Sequence, residues 1–110
     1  MNKLSLHATV REHLDKAATS TSGRSATTVF GGHEKALRQT VIALRAGTTL
    51  AEHQNPGEAT VHVLLGRVRL SAGEDSWDGR QGDLIVVPDG VHALEAIEDA
   101  AVLLTVAKLA

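Results

Sequence analysis

From residue 25 onward, short apolar runs rich in branched side chains recur at intervals of about 8–12 residues, each cut by glycine or proline. The runs are 26–30, 36–44, 61–65, 68–70, 84–87, 91–97 and 102–106, and the breaks include Gly31-Gly32, Gly47, Gly66, Gly82 and Pro88-Asp89-Gly90. Such short connections leave no room for helices between strands. A doubly wound α/β sheet is therefore excluded, and an antiparallel sandwich or barrel is predicted. Gly66-Arg67 joins two of the runs at a bend or tight turn, and the polar stretch 73–82 around Trp77 is predicted as a turn-rich hairpin region. No solenoid-type repeat is present.

The N-terminal part has a different texture. Leu6, Val10, Leu14 and Ala17 or Ala18 recur at steps of three and four, the spacing of one helical face, with Arg11, Glu12, Asp15 and Lys16 on the other side. This predicts a short amphipathic helix over 6–18, too short to be stable in water without a surface to dock on. A polar run, 19–25, follows as a loop. The organisation expected is a helix and linker over 1–24 and one barrel domain over 25–110.

Composition narrows the chemistry. The chain has 110 residues, six histidines, no cysteine and two aromatic residues, Phe30 and Trp77. Without cysteine there is no disulfide scaffold, thiolate zinc site or cysteine nucleophile. With so few rings, the stacking platforms of single-strand nucleic-acid binders are missing. Eleven basic and 13 acidic side chains give a net charge of -2, and the bases are scattered singly, so neither nucleic acid nor a membrane surface is an expected partner. No run reaches the ~18 apolar residues of a membrane span, and the first residues carry no signal-type apolar run, so a cytoplasmic protein is expected.

Two segments carry motif spacing. The first runs from Gly47 through His53, Asn55, Glu58 and His62 to Gly66; the second is Gly82-Asp-Leu-Ile-Val-Val-Pro88-Asp-Gly90-Val-His92. Together they resemble the two signature motifs of the cupin superfamily. Gly47, His53 and Gly66 fit the first motif, and Gly82, Pro88, Gly90 and His92 fit the second, with one residue fewer than usual between Gly90 and the histidine. The resemblance covers about residues 47–92. It implies an all-β double-stranded β-helix, the jelly-roll or cupin barrel, here preceded by a short N-terminal α-helix. It also implies histidines converging on the barrel mouth, a divalent metal such as zinc, iron, nickel or manganese, and a homodimer.

The departures from the pattern matter as much. Asn55 stands where the family has its second histidine, and the family's ligating glutamate falls on Ala59. Glu58 is one residue off, and one residue in a strand reverses the face. The asparagine expected beyond the last histidine falls on Ala96. His53 and His92 remain as candidate metal ligands, with His62 as a third. Strict alternation through Val68 and Leu70 turns His62 inward unless a bulge sits at Gly66, whereas the parity of the family glutamate turns it outward. Asn55, Glu58 and Gln39 are the candidate pocket residues; within Arg38-Gln39-Thr40, alternation alone does not say which projects into the cavity. His7, His13 and His33 are read as solvated, and Arg67 and Arg69 as an exposed strand face.

Three functions follow as expectations. The first is a barrel that binds a small, largely apolar molecule beside a degenerate metal site. The second is a metal-dependent enzyme of dioxygenase or isomerase type using His53 and His92. The third is a metal-free structural or interaction barrel. The first is preferred, because a facial metal site needs at least three protein ligands.

Overall fold

The computed structural model describes residues 3–54 and 57–108; of residues 52–54 it describes the strand they belong to. The chain begins with helix α1, Leu6–Thr19, whose N-terminus is capped by Ser5 Oγ accepting from the Ala8 N–H at 3.1 Å. Its last carbonyls are satisfied from outside the helix. Arg45 Nη1 donates to the carbonyls of Ala17, Ala18 and Ser20 at 3.4, 3.2 and 3.1 Å, placing a cation at the negative end of the helix dipole.

The strands are β1 (Arg24–Phe30), β2 (Leu37–Leu44), β3 (Thr49–Gln54), β4 (Gly57–Leu65), β5 (Arg67–Ala72), β6 (Asp75–Arg80), β7 (Leu84–Val86), β8 (Val91–Ala96) and β9 (Ala100–Lys108). They form a five-stranded sheet of order β1-β2-β9-β4-β7 and a four-stranded sheet of order β3-β8-β5-β6, with antiparallel pairing throughout. The two sheets pack face to face on an aliphatic core that includes Leu44, Val63, Val68, Leu70 and Val102. The all-β barrel expected from the sequence is the observed architecture. No helix among the described residues is long and apolar enough to cross a membrane.

Two strands lie where apolar runs are lacking. Strand β6, Asp-Ser-Trp-Asp-Gly-Arg, is exposed but for Gly79 and forms the sheet edge, so it needs only one inward position. A Cβ at Gly79 would come within 2.8 Å of Ile85 Cδ1 and 3.0 Å of Val63 Cγ2, which is why that position has no side chain. Strand β3 lies inside the first motif segment, where its irregular pairing hides the period of two.

Helix α1 docks on the outer face of the five-stranded sheet, where Val10 packs with Val41 and Ala101. His13 corrects the reading of a solvated residue. It lies on the buried stripe between Val10 and Ala17, and its Nδ1 shares a 2.6 Å hydrogen bond with Ser25 Oγ on β1. A polar partner on the sheet lets a histidine occupy a core position. His7 and His33 are exposed, as expected.

The two ends of the barrel differ. At the lower end, Gly47 N–H donates to Ala96 O at 2.8 Å, Ile97 N–H to Arg67 O at 2.9 Å, and Ala46 N–H to Asp99 Oδ1 at 2.8 Å. Gly66, with φ +80°, turns β4 into β5 there, and a Cβ at that position would overlap the Asp99 carbonyl. The upper end carries the 31–36 and 88–90 turns. There Lys108 Nζ donates to the carbonyls of Gly32 at 2.7 Å and His33 at 3.4 Å, holding the β1–β2 connection.

Candidate functional site

The site is built at the upper end from the second motif. Pro88 has no N–H to extend the ladder, so pairing of this segment with β4 stops once Val87 N–H has donated to Ala59 O at 3.0 Å. Gly90 then adopts φ +97°, a conformation that side-chain-bearing residues avoid, and the chain turns back into β8. His92, the second residue of that strand, is 4% exposed. Its Nδ1 lies 3.2 Å from the Gly90 carbonyl oxygen. A carbonyl can only accept, so Nδ1 carries the proton, and in the neutral ring the lone pair is on Nε2. Such a ring can accept a hydrogen bond, take a proton or bind a metal through Nε2.

The interior around His92 is filled. Ile42, Leu50, Val61, Leu70 and Leu104 are among the residues that leave a cavity of about 20 Å³ beside it. That holds about one water molecule and no organic ligand.

His53 lies on β3, where its register partner is His92. One irregularity makes this so. Leu50 pairs with Leu94 and His53 with His92, so two β3 residues stand against the single Ala93 of β8. Strict alternation from Leu50 would have brought position 52 to this register instead. Asn55 lies outside the described residues.

The other candidates lie elsewhere. Val61 and Val63 are buried in the core, and His62 between them stands on the outer face, half-buried, with Leu84 and Leu103 as register partners. The cause is the register shift between Val63 and Leu65, which reverses the parity before Val68. Glu58 is exposed on the same outer face and lines a groove of about 480 Å³ with Thr60, Val86 and Thr105. Ala59, at the position the resemblance gives to a carboxylate, points into the core, as does Ala96. Gln39 also faces outward. It donates through Nε2 to Thr105 Oγ1 at 3.2 Å and lines a second outer groove, of about 710 Å³, with Leu4, Phe30 and Leu103.

Within Arg38-Gln39-Thr40 the inward residues are therefore Arg38 and Thr40. They share the parity of Ile42 and Leu44, and Arg38 pairs with the buried Val106. The even positions 38, 40, 42 and 44 form one face of an uninterrupted strand, but since Val41 and Ala43 are apolar too, the sequence alone does not mark that face as inward. Arg67 and Arg69 stand on the outer face of the four-stranded sheet and both hold Asp78, at 2.6 and 2.7 Å. Hydrogen bonds from Arg69 and then Arg67 hold the Asp78 carboxyl well below the usual carboxylate range.

A catalytic metal of the kind the fold family carries requires three or more converging ligands. Among the described residues no three histidine, cysteine, aspartate or glutamate side chains gather in one place. His62 and Glu58 are on the wrong face, and alanine at positions 59 and 96 offers no donor atom. The described residues therefore do not fit a three-ligand centre.

Comparisons with known proteins agree with this architecture. No protein-family model matches the sequence, and no curated protein does. Solved structures do match. A conserved protein of unknown function from Streptococcus pyogenes is 29% identical, with a TM-score of 0.73 over 83% of this chain and 79% of that one. An RmlC-like cupin from Desulfovibrio desulfuricans is 24% identical, with a TM-score of 0.67 over 76% of this chain and 81% of that one. A cupin superfamily protein from Desulfitobacterium hafniense is 14% identical, with a TM-score of 0.72 and 78% of each chain covered. These structures share this chain's fold, the all-β barrel of the cupins.

Proposed function

We propose that the protein binds a small, largely apolar molecule at the upper end of the barrel, against the imidazole of His92. One observation carries this reading. Of the two buried polar side chains among the described residues, His13 lies in the helix interface with Ser25, and His92 lies in the barrel interior beside the Gly90 carbonyl. A ring held by Gly90 and set among aliphatic side chains supports a site with one polar handle, as small-molecule sites commonly have. The filled interior below limits the ligand to the space above the His92 layer.

The test is a screen of small organic fragments against isotope-labelled protein by NMR. Shifts are expected to cluster on Ala59, Val87, His92 and Val106, and to vanish in His92→Ala. Shifts confined to the outer grooves, or none at all, would overturn the proposal.

A second reading is a divalent ion (zinc, iron, nickel or manganese) shared by His53 and His92 in an enzyme. The register that pairs these two positions favours it, since opposed positions in a ladder have Cβ atoms about 5 Å apart. Metal analysis of untagged protein separates the two. Stoichiometric metal that is lost in His53→Ala would favour the enzyme, and substoichiometric metal the ligand-binding barrel.

The proposal includes a homodimer. Leu84 and Val86 on the edge strand β7 are 61% and 73% exposed, and Leu4, Phe30 and Leu37 are exposed on the same outer side of the five-stranded sheet. A second copy covering them would remove an apolar surface that a soluble monomer rarely leaves open.

A further inference from the structure

We infer that the ligand of the upper end carries a carboxylate, and that Arg38 is the residue that receives it. This rests on the proposed binding site above and names its ligand class.

Arg38 is the second residue of β2 from the upper end. The β2–β9 ladder runs from Leu37 to Leu44 without a register shift, so Arg38 shares the face of its partner Val106 and of Ala59 beyond it, both in the core. It is half-buried. Among the described residues no carboxylate lies within ion-pairing distance of it, and its guanidinium bonds no described group. Other cations of the fold are engaged: Arg45 on the helix carbonyls, Arg67 and Arg69 on Asp78, and Lys108 on the Gly32 and His33 carbonyls. An arginine at the rim of an aliphatic interior loses hydration and gains no partner within the described fold. The cost is offset when an anion takes the place of the lost water.

The acids near this end point elsewhere. Glu58 and Asp89 line the outer groove, and Glu34 lies in the β1–β2 turn beside Gly32. Arg38 and Lys108 thus give the rim a positive field with no described acid on the interior face.

A carboxylate fits this better than a phosphate. The guanidinium fork offers two parallel donors, which match the two oxygens of a carboxylate. A phosphate dianion asks for several more donors, and the N–H groups of β2, β4 and β9 are committed to their ladders while Pro88 has none. Ala59, Val87, Leu104 and Val106 belong to the aliphatic core on the inward side of β2, which suits a short branched aliphatic body. The ligand class is a small aliphatic carboxylic acid, with Arg38 on its charge.

The test compares isovalerate with its neutral isostere isovaleramide on wild-type protein and on Arg38→Gln, followed by NMR titration. Wild type is expected to bind isovalerate at least about tenfold more tightly than the amide, because only the acid forms the charge-assisted pair. Arg38→Gln is expected to reduce that preference to within about twofold, chiefly by loss of affinity for the acid. Equal affinity for the two probes in wild type overturns the inference without recourse to any variant. A preference that survives in Arg38→Gln overturns it too. In both cases shifts at the upper end sustain the proposed site, whereas no shifts there from either probe reject site and ligand class together.

Discussion

His53 and His92 are register partners across the β3–β8 ladder, and they are so because β3 places two residues, Ala51 and Glu52, against the single Ala93. The bulge re-aims β3 without disturbing the pairing of β8 with β5. If both positions serve one ligand, their contributions are coupled. His53→Ala and His92→Ala are each expected to weaken binding of a fragment at the upper end about tenfold, and the double variant by much less than the product of the two. Independent, additive losses in a titration series would separate them into two unrelated sites.

The core predicts the stability of the barrel. Leu44 is fully buried among aliphatic neighbours, so Leu44→Ala removes its transfer energy and leaves a cavity. A loss of about 2–5 kcal/mol in denaturant unfolding is expected. A loss below about 1 kcal/mol would mean that the two sheets are not closely packed there.

The helix is held by two polar contacts besides its apolar stripe: His13 with Ser25, and Arg45 with the carbonyls at its C-terminus. Removing either one, as His13→Ala or Arg45→Ala, is expected to speed amide exchange in α1 by about tenfold, equivalent to about 1–2 kcal/mol of docking. The barrel strands β4 and β9 are expected to keep their protection. Uniform loss across the molecule would show that the helix and barrel unfold as one unit.

Asp78 sets a pH dependence. Its carboxyl is held below the ordinary range by Arg69 and Arg67, so its contribution to stability is present above the unfolded-state value of about 4 and is lost as pH falls through and below it. Wild type is therefore expected to exceed Asp78→Asn in Tm by a constant margin between about pH 6 and 8, and the margin to shrink from about pH 5 downward. The pair is exposed enough that the margin stays small. A margin that grows on acidification would contradict the assigned direction.

The exposed Leu84 and Val86 predict the assembly state. Sedimentation at micromolar concentration is expected to show a dimer, and Val86→Lys a monomer with an unchanged far-UV spectrum. A monomeric wild type would remove the homodimer from the proposal.

Much of this was legible in the residues. Glycine and proline punctuation gave most strands and excluded helices between them, and Gly47, His53, Gly66, Gly82, Pro88, Gly90 and His92 pointed to the fold. What was not legible turns on one-residue effects. The irregularities at 51–52 and at 64–65 each change which side of a strand faces the core, and nothing in Leu-Ala-Glu-His or Val-Leu-Leu marks the extra residue. Strand β6 was hidden because an edge strand can be almost wholly polar. His13 was misread because its partner, Ser25, lies 12 residues away on another element. Arg38 was not legible either, because Val41, Ile42, Ala43 and Leu44 are all apolar, so alternation alone does not mark the inward face of β2.

The central claim is that His92 is the polar handle of a ligand site, with its Nδ1 proton given to Gly90. The most direct measurement is the imidazole nitrogen spectrum of His92 in labelled protein, recorded free and during the fragment titration. The account predicts a proton on Nδ1, with the Nε2 resonance moving as ligand is added. A proton on Nε2 with Nδ1 bare, or a His92 spectrum that stays fixed while other resonances report binding, would contradict it.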